Sequence, residues 1–204
     1  KTETRFLEVS SLSVIGSYGV IIALDTENPT RLTVWIEAAR PKTLPASITP
    51  VILGSAMAYG DGTFHPLSAL CALLGALLIQ IGANYANDYV DYLKGADTSG
   101  RLGPRRVTQS GLVKPETMRI ATAIVFLLAC IPGTYIVYRG GLPFVFIGLT
   151  SILFAVLYTA GPFPLGYVGL ADLFVLLYFG PIALAGTYYL HALRLTPEAM
   201  VAGF

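Results

Sequence analysis

Apolar residues fall along this chain in long blocks, and the polar residues are confined to their ends. Five blocks approach or exceed the about 20 residues a helix needs to cross a bilayer: 43–59, 66–91, 116–138, 142–160 and 167–190. Pro45 and Pro50 punctuate the first, and Pro115 with Glu116 opens the third, as a proline and an acid do at a helix start. A shorter apolar run, 14–24, is closed by Asp25, Glu27, Asn28 and Pro29 and is too short to span. The pattern predicts an all-α fold, a multi-pass transmembrane helical bundle. The blocks from 43 onward form the membrane domain, and the run 14–24 stays unassigned. Thr196-Pro197-Glu198 carries the cap, proline and acid of a sixth helix start. With Lys1 in first place and the chain stopping inside that sixth helix, the expectation is a piece of a longer protein. No charged and apolar leader with a small-residue cleavage site is visible at the start.

The second block differs from the others in how it ends. Residues 67–81 are almost wholly apolar or small, and the same helix then runs into amides and carboxylates. At about 100° per residue, Gln80, Asn84, Asn87, Asp88 and Asp91 fall in a stripe roughly 100° wide. Asp97 follows closely. A charge deep in a bilayer costs about 2.5–3.5 kcal/mol on insertion scales, so such a stripe needs partners. Oxygen ligands this close suit a hard divalent cation, Mg²⁺ above all, which takes carboxylates together with phosphate oxygens. A solvated helix end is the plainer alternative, because Asp and Asn are common there.

Composition changes the setting rather than the pattern. The chain has 204 residues, 54% hydrophobic and 12% charged, with mean hydropathy +0.67. Soluble domains carry about 25% charged residues, so this reads as an integral membrane protein. Net charge is +1, which gives nucleic acid no reason to bind. Cys71 and Cys130 sit inside apolar blocks without metal-ligand spacing and read as buried spectators.

Charge also orients the chain. Arg40, Lys42, Lys94, Arg101, Arg105, Arg106, Lys114 and Arg119 share one side, and Arg139 and Arg194 take the other. The positive-inside rule places the acidic stripe and the loop 92–115 in the cytoplasm. His65 and His191 land opposite and read as ordinary loop residues. A basic, glycine-rich loop facing a carboxylate cluster suits a metal–diphosphate: carboxylates hold the cation, the cation holds phosphate, and Arg or Lys takes the remaining charge. The loop's Arg and Lys count alone is equally met by a topology signal that pairs with anionic lipid.

Four ordered stretches then resemble a known family. Asn87-Asp88-x-x-Asp91 resembles the first Asp-rich motif of the UbiA superfamily of intramembrane aromatic prenyltransferases. Arg40-Pro41-Lys42-Thr43-Leu44-Pro45 resembles the approach to the first helix in one branch, the 1,4-dihydroxy-2-naphthoate polyprenyltransferases of menaquinone synthesis. Asn84 through Asp97, then Arg101-x-Gly103-Pro104-x-Arg106-x-x-Gln109-x-Gly111, are similar to that branch's motif and loop. Tyr158-Thr159 and 164–172, ending at Asp172, look like its turn between helices four and five. The resemblance covers about 35–204. Many superfamily members space the motif Asn-x3-Asp-x3-Asp; here Gly95 holds the third position and the acid comes at Asp97, which resembles the naphthoate branch rather than the 4-hydroxybenzoate enzymes. The family's second Asp-rich motif follows its sixth helix and has no counterpart within these 204 residues, so these residues alone are expected to carry no turnover.

The resemblance implies a transferase. A polyprenyl diphosphate binds through Mg²⁺, its allylic C–O bond breaks, and 1,4-dihydroxy-2-naphthoate attacks with loss of CO₂ and a ring proton, giving demethylmenaquinone. It implies Asp88, Asp91, Asp97 and Asn87 at the metal, and Asn84 orienting the carboxylates or joining them. Arg101 and Arg106 become diphosphate clamps with Lys94 behind them, and Arg40 and Lys42 stand as weaker members. Asp172 touches the acceptor or removes its proton, or is a carboxylate favoured by its helix dipole. Tyr85, Tyr89, Tyr92, Tyr158 and Tyr167 offer aromatic faces to a cation, or form an interfacial belt. The expected setting is a bacterial inner membrane, with a plastid membrane as the other option. Two alternatives stay open: a related transferase with another aromatic acceptor or a phytyl donor, and a cation-coupled transporter. The acids crowd one helix end rather than the midplane, and between their ends the third and fourth blocks hold no acid or base, which disfavours transport.

Overall fold

The computed structural model describes residues 29–95, 105–160, 169 and 171–204, and no strand occurs among them. Helix α1, Arg31–Ala39, is capped by the Thr30 hydroxyl, which accepts from the Thr33 amide. Arg40 then takes a left-handed conformation (φ 51°) and turns the chain through the short 3₁₀ turn Pro41–Thr43. Helices α2 (Leu44–Gly60), α3 (Pro66–Lys94), α4 (Pro115–Gly140) and α5 (Pro143–Leu157) follow. Each of these four has proline in its first turn, where the missing N–H costs no helical bond. Helix α6 (Ala171–Leu177) passes through a π-type segment, Tyr178–Ile182, into α7 (Ala183–Ala192), and α8 is Pro197–Val201.

All five apolar blocks therefore appear as helical segments. α3, α4 and the run Asp172–Ala192 are long and apolar enough to cross a membrane, and the protein is an integral membrane protein with an all-α, multi-pass fold. α2 equals its block in length at 17 residues, whereas α5, at 15, is shorter than its block; they measure about 26 and 22 Å at 1.5 Å per residue. The hydropathy of 142–160 continues through Tyr158–Ala160, but the chain there is already in a turn.

α3 is the central post, packed against α1, α2, α4, α5 and α7. Glycines sit at two close contacts between helices. A Cβ on Gly82 would stand 2.5 Å from the Phe126 ring of α4, and one on Gly54 of α2 would stand 2.5 Å from the Leu184 carbonyl of α7. Backbones this close are how membrane helices gain packing where lipid offers no hydrophobic drive between them. Large apolar side chains face outward instead, among them Ile52, Leu127, Ile131, Phe146 and Leu149. Cys130 shares that outer face of α4, so it is exposed, contrary to the expectation of a buried spectator; Cys71 is buried as expected. The run α6–α7 bends at Gly180-Pro181, where Gly180 leaves helical geometry (φ −92°, ψ −112°) because Pro181 cannot donate to the preceding turn. Between this bend and α2 lies an apolar cleft of about 340 Å³, bordered by Thr49, Pro50, Leu53, Phe179 and Leu184.

Candidate active site at the acidic end of α3

The polar stripe of α3 is not a solvated helix end. Asn84, Asp88 and Asp91 are buried, and every member of the stripe bonds to another element. Gln80 Nε2 donates to Thr43 Oγ1 (3.4 Å), and Asn84 Nδ2 donates to both Thr43 Oγ1 (2.9 Å) and the Ala39 carbonyl (2.8 Å). The left-handed corner at Arg40 brings those two acceptors to one place. Asn87 Oδ1 accepts from the Thr159 hydroxyl (2.6 Å), just beyond α5. Asp88 Oδ2 accepts from the Thr108 amide (3.1 Å) and the Thr108 hydroxyl (2.5 Å). Asp91 Oδ2 forms a buried ion pair with Arg106. Lys94 donates to the Thr159 carbonyl (2.5 Å). Thus the α1–α2 corner, the segment after α5 and the loop before α4 all converge on one face of α3.

An apolar anchor holds the loop there. Val107 is fully buried and packs with Val34, Ala38, Tyr85, Val113 and Met118. Its neighbours Arg106 and Thr108 reach the two carboxylates. Backbone bonds from Ser110 to Arg106 and from Leu112 to Val107 close the turn, and Gly111 (φ 75°) supplies the left-handed residue it needs. Gly95 (φ 59°) ends α3 the same way, its amide returning to Asp91 and Tyr92.

Asn84, Asn87, Asp88, Asp91, Lys94 and Arg106 are therefore brought together. Asp97, Arg101 and Tyr167 lie outside the described residues. Tyr158 is exposed beside Thr159, and Asp172 is exposed in the first turn of α6. Lys42 is exposed too. Tyr85 is not placed as a cation-facing ring. It is buried against Trp35, with ring centroids 5.5 Å apart, and its hydroxyl donates to the Trp35 carbonyl (3.3 Å), pinning α1 to α3. Tyr89 packs at the edge of the same cluster and Tyr92 is exposed.

Thr43, Thr108 and Thr159 escaped sequence reasoning. Each threonine sits in an irregular segment, where no periodicity marks it, and only the fold shows that all three serve the α3 stripe. Of the two histidines, His65 does lie in the segment between α2 and α3, and His191 departs from the expectation. His191 is a buried residue of α7, not a loop residue: its Nδ1 accepts from the His65 amide (2.9 Å), and its Nε2 lies 3.1 Å from Ser55 Oγ. Both histidines do lie at the far end of α3, 29 residues long, about 43 Å at 1.5 Å per residue.

Residues 47–204 match the model of the UbiA prenyltransferase family. The chain belongs to the UbiA prenyltransferase family. It is 41% identical over 177 residues to the 1,4-dihydroxy-2-naphthoate octaprenyltransferase of Escherichia coli (strain K12), an alignment covering 84% of this chain and 58% of that protein. It is 38% identical over 160 residues to the enzyme of the same name from Mycobacterium tuberculosis (strain ATCC 25618 / H37Rv), covering 78% of this chain and 54% of that one. A UbiA prenyltransferase domain-containing protein 1 from Danio rerio is 32% identical over 169 residues, covering 79% and 48%. The chain spans a little over half the length of the bacterial relatives it matches.

The donor set suits a hard cation in chemical type. Two buried carboxylates one helical turn apart match the one or two carboxylates through which Mg²⁺ is usually held beside substrate phosphates. Among the described residues, no group of three or more His, Cys, Asp or Glu side chains is assembled that could hold a metal ion.

Proposed function

We propose that this chain is the acidic-motif part of a prenyltransferase that moves a polyprenyl group from an allylic diphosphate to 1,4-dihydroxy-2-naphthoate, with loss of CO₂, in a bacterial inner membrane. The observation that carries it is the pair of buried carboxylates, Asp88 and Asp91, faced by the basic loop residue Arg106. Burying a carboxylate–guanidinium pair is expensive, and apolar residues of similar volume are often neutral or more stabilising. Membrane packing alone gives no reason for the pair.

Asp88, Asp91 and Asn87 would hold Mg²⁺, with Asp97 joining them. When bound, Mg²⁺ would take up negative charge on the diphosphate. Asn84, locked by the Ala39 carbonyl and Thr43, positions this turn of α3. Arg106, Arg101 and Lys94 supply the positive charge that a departing diphosphate needs. Helix packing would have to exclude water from the reacting carbon, and the cleft beside Pro50 and Phe179 is lining of the type an isoprenoid tail takes. Asp172 and Tyr158, at the ends of the segment joining α5 to α6, are the residues we assign to the acceptor. Two carboxylates with a basic loop are what donor activation requires, whereas a transport path would run acids through the midplane. The named relatives favour naphthoate over other acceptors.

The test supplies the protein at its full natural length, in lipid, with Mg²⁺, an allylic polyprenyl diphosphate and either 1,4-dihydroxy-2-naphthoate or 4-hydroxybenzoate. Demethylmenaquinone formation with the first acceptor only is expected. Prenylated benzoate as the main product would overturn the acceptor assignment, and diphosphate-independent cation flux would overturn the transferase.

A further inference from the structure

The two carboxylates proposed to face a metal already have partners, and the partners differ in kind. Thr108 gives Asp88 two neutral donors, one amide and one hydroxyl. Arg106 gives Asp91 a full positive charge in a buried setting. Both come from one turn, fixed on either side of the buried Val107. Neutral donors orient a carboxylate and leave its charge in place. A guanidinium cancels that charge and fills the place a cation would take.

We propose that Arg106 is a stand-in cation. It neutralises Asp91 while the site holds no metal, and is exchanged for the metal when a diphosphate arrives, moving its own charge from carboxylate to phosphate. This rests on the assignment of Asp88 and Asp91 to a metal–diphosphate. Charge balance supplies the reason. Divalent metal alone would have to displace Arg106 from Asp91 and break a buried ion pair with no anion brought in to replace the carboxylate, which is costly. Metal with diphosphate brings both the cation that Asp91 needs and an anion whose oxygens match the guanidinium fork. Free metal is thereby rejected and the metal–diphosphate accepted. The exchange needs only a side-chain movement, because Val107 and the Thr108–Asp88 bonds keep the loop seated. Thr108 is the positioning residue and Arg106 the exchangeable one.

The experiment measures Mn²⁺ binding to the full-length protein by equilibrium dialysis without diphosphate, and retention of radiolabelled diphosphate with Mn²⁺ present. Arg106→Gln and Arg106→Met remove the charge, Arg106→Lys keeps it, and Asp88→Ala reports the site itself. The neutral variants should bind Mn²⁺ alone roughly tenfold or more tightly than wild type, since the competing cation is gone. They should also retain less diphosphate. Arg106→Lys should stay within about twofold of wild type for Mn²⁺ alone, because the positive charge remains. Thermal unfolding gives a second readout: Mn²⁺ alone should raise the melting temperature of the neutral variants and leave wild type unmoved. Unchanged Mn²⁺ affinity in folded neutral variants would sink the exchange and leave the site assignment standing. Wild type that retains no more diphosphate than Asp88→Ala would remove the site assignment and the exchange with it. Neutral variants that cannot be recovered folded even in Mn²⁺ would also count against it, because the metal should replace the lost charge.

Discussion

The two ends of α3 hold comparable numbers of polar side chains and use them differently. At the histidine end several of them cap backbone groups, and none of the buried ones is a carboxylate. Arg139 donates to the carbonyls of Leu190 (2.5 Å) and His191 (3.1 Å), and Ser68 Oγ donates to the Leu190 carbonyl (2.9 Å). Those carbonyls belong to the last turn of α7, where no helical partner remains. His191 accepts from the His65 amide while stacked on Phe64, and the Tyr188 hydroxyl donates to Asp61. The result is a clasp between the α2–α3 turn, the end of α4 and the end of α7. At the acidic end, by contrast, the burial includes two carboxylates and a guanidinium. Helix capping consumes polar groups. Charges buried beyond that need are available for a ligand, so the two ends should respond oppositely to substitution.

The largest effect is expected from the acids. In the full-length protein, Asp88→Ala or Asp91→Ala should lower prenyl transfer by about a hundred- to a thousandfold, the range seen when a charge-stabilising group is removed from a reacting centre. Membrane insertion, followed by circular dichroism and extraction behaviour, should persist. Near-normal turnover in both variants would erase the distinction between the ends.

The clasp should show the opposite profile. His191→Ala removes the acceptor for the His65 amide and opens a buried space, at an expected cost of about 2–4 kcal/mol. The melting temperature should fall, while turnover per folded molecule stays near wild type. A loss of diphosphate affinity with unchanged stability would show that the histidine end takes part in binding.

A smaller change should come from Thr159→Val, which keeps shape and removes the hydroxyl bonded to Asn87. Losing one such bond costs about 1 kcal/mol, so diphosphate affinity should drop several-fold with little change in melting temperature. An unaltered affinity would reduce Thr159 to a packing residue.

Topology sharpens the comparison without altering either end. In a background lacking Cys71 and Cys130, single cysteines at Ser110 and Gly62, both exposed, should be labelled from opposite faces, Ser110 from the cytoplasm. Labelling of Ser110 from outside would invert the orientation, and a cytoplasmic donor could not reach the site.

Hydropathy along the chain determined the class of this protein, the five helical segments and the stripe on α3, because lipid permits only internally bonded helices and a helix places residues three and four apart on one face. The ordered motifs were enough to identify the family. Helix lengths were less legible: apolar composition continues past Leu157 although the helix does not, since hydropathy measures solvent preference rather than hydrogen bonding. Which polar residues work together was decided by the tertiary structure. Asp91 and Arg106 are 15 residues apart, Asp88 and Thr108 are 20, and Asn87 and Thr159 are 72. The sequence carried Asp88, Asp91 and Arg106 as separate candidates, while Thr43 and Thr159 stood in motif stretches without a role and Thr108 was indistinguishable from any loop threonine. The same limit hid His191, which reads alone as a loop residue and becomes a buried clasp once α7 packs on α2 and α3. Local pattern follows from bonding and solvent preference within a segment. Partnership follows from which segments the close approaches at Gly54 and Gly82 and the buried Val107 bring into contact.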